Sequence, residues 1–169
     1  MAIRQIRRDG DDILKKKCKP IKEITPAVLG LLDDMVETLR HADALGLAAP
    51  QVGALKRIAV IEDEGTLYEL INPEITKSGG SQSCNEACLS VPGLCGDIDR
   101  PFEVTITAID RSGDQYELTV DDYLASAFCH EIDHLDGVLF TDNAKAVQPI
   151  TEGELQKRKQ MKKNKRKKK

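Results

Sequence analysis

Long hydrophobic runs are missing from this 169-residue chain: none approaches the ~20 apolar residues of a membrane-spanning helix. The first residues, Met1 to Asp9, carry charge and lack the apolar core of a signal peptide. Together these absences point away from membrane and exported classes, and the cytoplasm is the expected compartment. A disulfide framework is also excluded, because five cysteines, an odd number, in an unexported chain read as thiols. What remains is ordinary for a globular protein: 40% hydrophobic and 31% charged residues, in a length suited to one domain with a sizeable core.

Charge is split sharply along the chain. From Lys157 to Lys169 there are ten Lys/Arg and no acids, whereas the rest holds 15 Lys/Arg against 28 Asp/Glu, so a segment of +10 follows a body of −13. So basic a run cannot bury a core, and reads as a solvated tail or the exposed end of a helix. It offers phosphate contacts to a polyanion such as RNA, but it has no aromatic residue with which to stack bases. The division expected is a catalytic unit over 1–150 and a basic tail over 151–169.

Between the termini the pattern is mixed. Thr25-Pro26 reads as an N-cap with proline at the first helical position, and Leu29, Leu32, Val36 and Leu39 then recur on one face to about Arg40. A small-residue loop over 44–51 follows. Residues 57–61 and 67–71 read as strands, the second ended by Asn72-Pro73, and Ser78 to Ser81 is a turn signal. Residues 104–109 and 116–120 alternate well and make a hairpin. Strands grouped between helices, without βαβ alternation, give an α+β fold of antiparallel sheets.

Chemistry concentrates in His130-Glu131-Ile132-Asp133-His134. Two of the chain's three histidines lie four apart, on one helical face, where both reach one metal ion. Glu131 beside them can handle the proton of a water activated there. Asp121 is the expected N-cap of this helix and Gly137 its stop. A third ligand is still required, with one position open. A metzincin would supply another histidine, but Phe140 occupies that position, and the later glutamates, Glu152 and Glu154, adjoin the basic tail. Cys84, Cys88, Cys95 and Cys129 all compete. Spacing does not choose among them, and a closed site with two cysteines is arithmetically possible.

Three motifs in register nevertheless resemble one family. Leu45-Gly46-Leu47-Ala48-Ala49-Pro50-Gln51 is similar to G-x-G-L-A-A-P-Q, Glu86-Ala87-Cys88-Leu89-Ser90 to E-G-C-L-S, and His130 to His134 to H-E-x-D-H. These are the motifs of peptide deformylase, the metal hydrolase that removes the formyl group from the N-terminal methionine of new bacterial proteins. The likeness extends through Val91-Pro92-Gly93, Arg100-Pro101 and Leu135 to Phe140.

The resemblance implies a peptide deformylase-like fold with antiparallel sheets around a central metal-binding helix. It implies Cys88, His130 and His134 as ligands of Fe2+, for which Ni2+, Co2+ or Zn2+ substitutes, and Glu131 as general base and acid. Gln51 and the Leu89 N–H would stabilise the oxyanion. Leu45, Gly46, Glu86, Tyr123 and Ala127 would face the N-formylmethionyl nascent peptide, held as an added strand. Arg100 would pair with Glu86 behind the site. A monomer is implied, with ribosome or RNA contact through the tail. Cys84, Cys95 and Cys129 would be packed or incidental thiols, and His41 exposed. The chain departs from the motifs at Ala44 and Ala87, where glycine is usual, and at Cys129, where glutamine is. A diverged paralogue with weak turnover, or a ribosome-binding module on the same frame, is the alternative reading.

Overall fold

The computed structural model describes residues 1–167; Lys168 and Lys169 of the expected tail lie outside the described residues. After an N-terminal segment comes helix α1 (Pro26–His41), and its start follows the sequence signal. Thr25 is the N-cap, with its hydroxyl accepting the Val28 N–H, and Pro26 opens the helix. Val28, Leu31, Leu32, Met35, Val36 and Leu39 form the buried face, while Leu29 is only half-buried. Leu32, Met35 and Leu39 are fully enclosed, each worth about 1.5–3 kcal/mol of apolar burial.

That face packs on a five-stranded antiparallel sheet. In chain order the strands are β1 (Gly46–Ala48), β2 (Ile58–Asp63), β3 (Thr66–Gly79), β4 (Gln82–Cys88), β5 (Val91–Arg100), β6 (Glu103–Ile109), β7 (Gln115–Asp121) and β8 (Ala146–Pro149). The first sheet has the order β1-β2-β3-β6-β7, and β4-β5-β8 make a second, three-stranded antiparallel sheet. Helix α2 (Asp122–Leu135) fills the space between, burying Ala125, Phe128, Cys129, Ile132 and Leu135 in a core shared with Ile61, Leu70, Val104 and Ile106. A short helix α3 (Phe140–Asn143) and the C-terminal helix α4 (Glu152–Lys167) complete the chain. The fold is α+β, with antiparallel sheets around a central helix. No helix among the described residues is long and apolar enough to cross a membrane.

One expectation is corrected. Asn72-Pro73 does not end β3. Asn72 takes a left-handed φ of 51°, the register shifts between Ile71 and Glu74, and the strand runs on to Gly79 beside β6. A bulge tolerates proline because no ladder N–H is needed there, and Asn72 is fixed by exchanging side-chain bonds with the backbone of Ile21 at 2.7 and 2.8 Å. Residues 82–100 form a hairpin that hydrophobic alternation does not mark, because its buried positions include Glu86 and Arg100, which satisfy each other. Asp121 stands at the N-cap of α2 but its side chain makes no capping bond. Beyond the other end, Gly137 has φ 77°, and a Cβ there would lie 2.6 Å from the Lys15 carbonyl oxygen, so only glycine fits.

Candidate metal centre

Two elements bring the donors together. Helix α2 presents His130 and His134 one turn apart, and β4 delivers Cys88 at its last residue. His134 Nε2 lies 3.3 Å from Cys88 Sγ and 3.2 Å from His130 Nε2, and the three donor atoms all fall within 4.8 Å of one another. Ligands at ordinary metal–nitrogen and metal–sulfur distances on a tetrahedron stand about 3.3–3.6 Å apart. Of the four cysteines that the sequence left in competition, only Cys88 joins this cluster among the described residues. Cys95 and Cys129 are buried, and burial pushes the Cys129 thiol up to about 11.

The imidazoles are set for a cation. His130 Nδ1 donates to Glu86 Oε2 at 2.8 Å, which turns Nε2 toward the cluster. His134 is fully buried, and its Nδ1 has no protein partner among the described residues. Burial and the neighbouring His130 charge hold His134 well below its ordinary pKa. Burial also opposes a charge on His130, but bonds to Cys88 and Glu86 outweigh it and raise that pKa. A pair that resists a second proton, converging with a sulfur, suits a borderline-soft divalent ion.

Behind the cluster lies a buried ionic support. Arg100 grips Glu86 with two bonds of 2.8 and 3.0 Å and reaches Asp133 at 2.6 Å, while Ser126 donates to Glu86 at 3.0 Å. Burial penalises the Glu86 charge, yet His130 and Arg100 bring its pKa down to about 2. Both Glu86 oxygens are therefore engaged on the protein side. Such partners fix the orientation of a ligating histidine.

On the other side, the Gln51 carbonyl oxygen accepts the Ala48 N–H at 2.8 Å, and its amide nitrogen stands 3.4 Å from Cys88 Sγ and 3.2 Å from Ser90 Oγ. The Ser90 N–H also points at the sulfur, at 3.4 Å. Leu89 is the first residue of the turn between β4 and β5. Glu131 is 4% exposed, and one of its oxygens is buried without a protein partner among the described residues. Burial, only partly offset by His130, raises its pKa to about 7. A Cβ on Gly46 would meet Glu131 Cδ at 2.7 Å and Cγ at 2.8 Å. Hence the carboxylate occupies the space that glycine leaves.

The remaining expected residues scatter. Leu45 and the 47%-exposed Tyr123 line one cavity of about 310 Å³, whereas Glu86 and Ala127 are buried away from it. Ala44 and Ala87 have no left-handed φ, so alanine in place of glycine there costs no backbone strain. His41 is exposed. Ser90, Ser126 and Asp133 were given no role from sequence; only membership of the motifs could have flagged Ser90 and Asp133, and nothing flagged Ser126.

Comparison with known proteins places the chain in a family. The polypeptide deformylase family model matches residues 3–149. The chain is 49% identical over 162 residues to a peptide deformylase of Acetivibrio thermocellus, covering 96% of this chain and 94% of that one. It is 51% identical over 142 residues to that of Caldanaerobacter subterraneus, covering 84% and 89%. Among solved structures, the peptide deformylase of Thermotoga maritima superposes with a TM-score of 0.84 at 33% identity, over 86% of this chain and 100% of that one. That of Synechococcus elongatus, in complex with actinonin, gives 0.81 at 38% identity, over 83% and 78%. By fold, motif and identity alike, this chain belongs to the polypeptide deformylase family.

Proposed function

We propose that this enzyme hydrolyses the formyl amide at the N-terminal methionine of newly made polypeptides, releasing formate and a free amine. The observation that carries the reading is the convergence of Cys88, His130 and His134 beside the buried carboxylate of Glu131. In this reading those three residues are the ligands. A divalent cation held by them supplies Lewis acidity toward water and the formyl oxygen.

Glu131 takes a proton from the attacking water, which adds to the formyl carbon, and returns it to the departing nitrogen as the C–N bond breaks. A pKa near 7 suits both directions of that transfer. Gln51, held by the Ala48 N–H with its amide nitrogen beside Cys88 Sγ, would turn an N–H to the oxygen on which negative charge develops, with the Leu89 N–H as its companion. Removing one such donor costs about 10²–10³ in rate. Glu86 and Arg100 act through His130, holding its ring. Leu45, Gly46, Tyr123 and Ala127 face the formyl-methionine, with Glu86 at the back of that wall.

Ferrous iron is the ion proposed, with nickel, cobalt or zinc able to replace it, because thiolate with two imidazoles suits all four. Residues 1–150 form the catalytic unit and 151–169 the tail, and the +10 charge of its residues 157–169 supports salt-sensitive contact with ribosomal RNA. The enzyme acts as a cytoplasmic monomer. Formate release from a formyl-Met tripeptide by anaerobically purified, metal-loaded protein tests the function, with the acetyl-Met peptide as control. Glu131→Gln should keep the metal and lose about 10²–10⁴ in kcat. Metal-loaded wild-type protein that releases no formate contradicts the reading.

A further inference from the structure

Helix α4 is more than an appendage to the body. Three of its residues, spaced four apart and so on one face, meet three separate segments of the body. Glu154 receives the Cys95 thiol of β5 at 3.9 Å. Arg158 donates to Asn85 of β4, at 2.6 Å to the side chain and 3.3 Å to the carbonyl. Lys162 reaches Asp43, both its carbonyl and, at 3.3 Å, its carboxylate.

The last two contacts fall on the segments that lead into the site. Asn85 stands three residues before Cys88, and Asp43 three before Gly46, the glycine packed against Glu131. One turn of α4 therefore joins the segment leading to Cys88 with the segment leading to Gly46. Lys162 also lines the cavity of about 310 Å³ that Asp43, Leu45, Glu62, Glu64 and Tyr123 surround. Among the described residues no α4 side chain enters a core cluster, and its larger apolar residues, Leu155 and Met161, are 45% and 56% exposed.

We propose that α4 is a strap across the substrate cleft, closed by Arg158 on Asn85 and Lys162 on Asp43, which competes with the peptide chain downstream of formyl-methionine. The inference rests on the deformylase reading for its substrate, though not for its geometry. Two exposed polar contacts of ordinary strength give a closing constant of about 5. A strap that must open before substrate enters raises KM by about that factor and leaves kcat unchanged.

The test uses the full chain. In Arg158→Ala/Lys162→Ala, KM for a formyl-Met tripeptide should fall about fivefold with kcat constant. Salt should lower the wild-type KM toward that of the variant and leave the variant flat. A second readout needs no turnover: in metal-stripped protein, iodoacetamide should alkylate Cys88 about fivefold faster in the double variant. Equal KM values and equal alkylation rates would overturn the strap. A failure of the deformylase reading looks different, since both proteins would then lack turnover while the alkylation rates still separate.

Discussion

Gly46→Ala isolates the positioning of Glu131 from the stability of the fold. The backbone at Gly46 is not left-handed, so alanine costs little in conformation. The obstacle is the new methyl, which would stand 2.7 Å from Glu131 Cδ and 2.8 Å from Cγ, and closer still to Oε1. Carbon atoms settle at about 3.5–4.0 Å, so the carboxylate must retreat by roughly 1 Å. A displacement of that size in a reacting group costs about 10²-fold in rate. The overpacking itself costs at most about 1–3 kcal/mol, less as the side chain yields. We therefore expect kcat for a formyl-Met tripeptide to fall about 10²-fold, with metal content unchanged and only a small shift in the urea midpoint. Metal-loaded Gly46→Ala with activity within about threefold of wild type would refute the assignment of Glu131 as a base whose placement this glycine permits.

The buried support gives a second expectation: Arg100→Ala leaves Glu86 and Asp133 without their shared cation. It should destabilise the fold by about 3–5 kcal/mol in urea titration and weaken metal affinity about 10–100-fold by competition with a chelator. A third concerns pH. Burial raises Cys18 from 9.0 to about 11, so the folded state favours the neutral thiol. That contribution is intact below pH 9 and is lost as pH rises from 9 toward 11, up to about 3 kcal/mol. Urea midpoints at pH about 8 and about 10.5 should diverge more in wild type than in Cys18→Ala; parallel losses would remove Cys18 as the cause.

Legibility in the sequence followed the kind of interaction that builds each part. Helix α1 was readable to its cap because Thr25, Pro26 and the apolar period act locally. The hairpin of β6 and β7 was readable because its alternation faces one core. The hairpin of β4 and β5 was not, since Glu86 and Arg100 face inward as an ion pair and mimic a polar loop. The pair His130 and His134 was legible from helical spacing, whereas Cys88 is brought to them only by the meeting of β4 and α2. Without the motif resemblance, four cysteines stayed open. The packing of Gly46 on Glu131 joins residues 85 positions apart, and no local pattern announces it. The path of α4 depends likewise on Asn85 and Asp43, which carry no signal of their own.

The central claim is that one sulfur and two imidazoles hold a single ion with a position left for chemistry. X-ray absorption at the metal edge of zinc-loaded protein tests it most directly. One sulfur at about 2.3 Å, two nitrogens at about 2.0–2.1 Å and a further light atom are expected, with the sulfur lost in Cys88→Ser. A shell without sulfur in the wild type, or one with two sulfurs and two nitrogens, would contradict it.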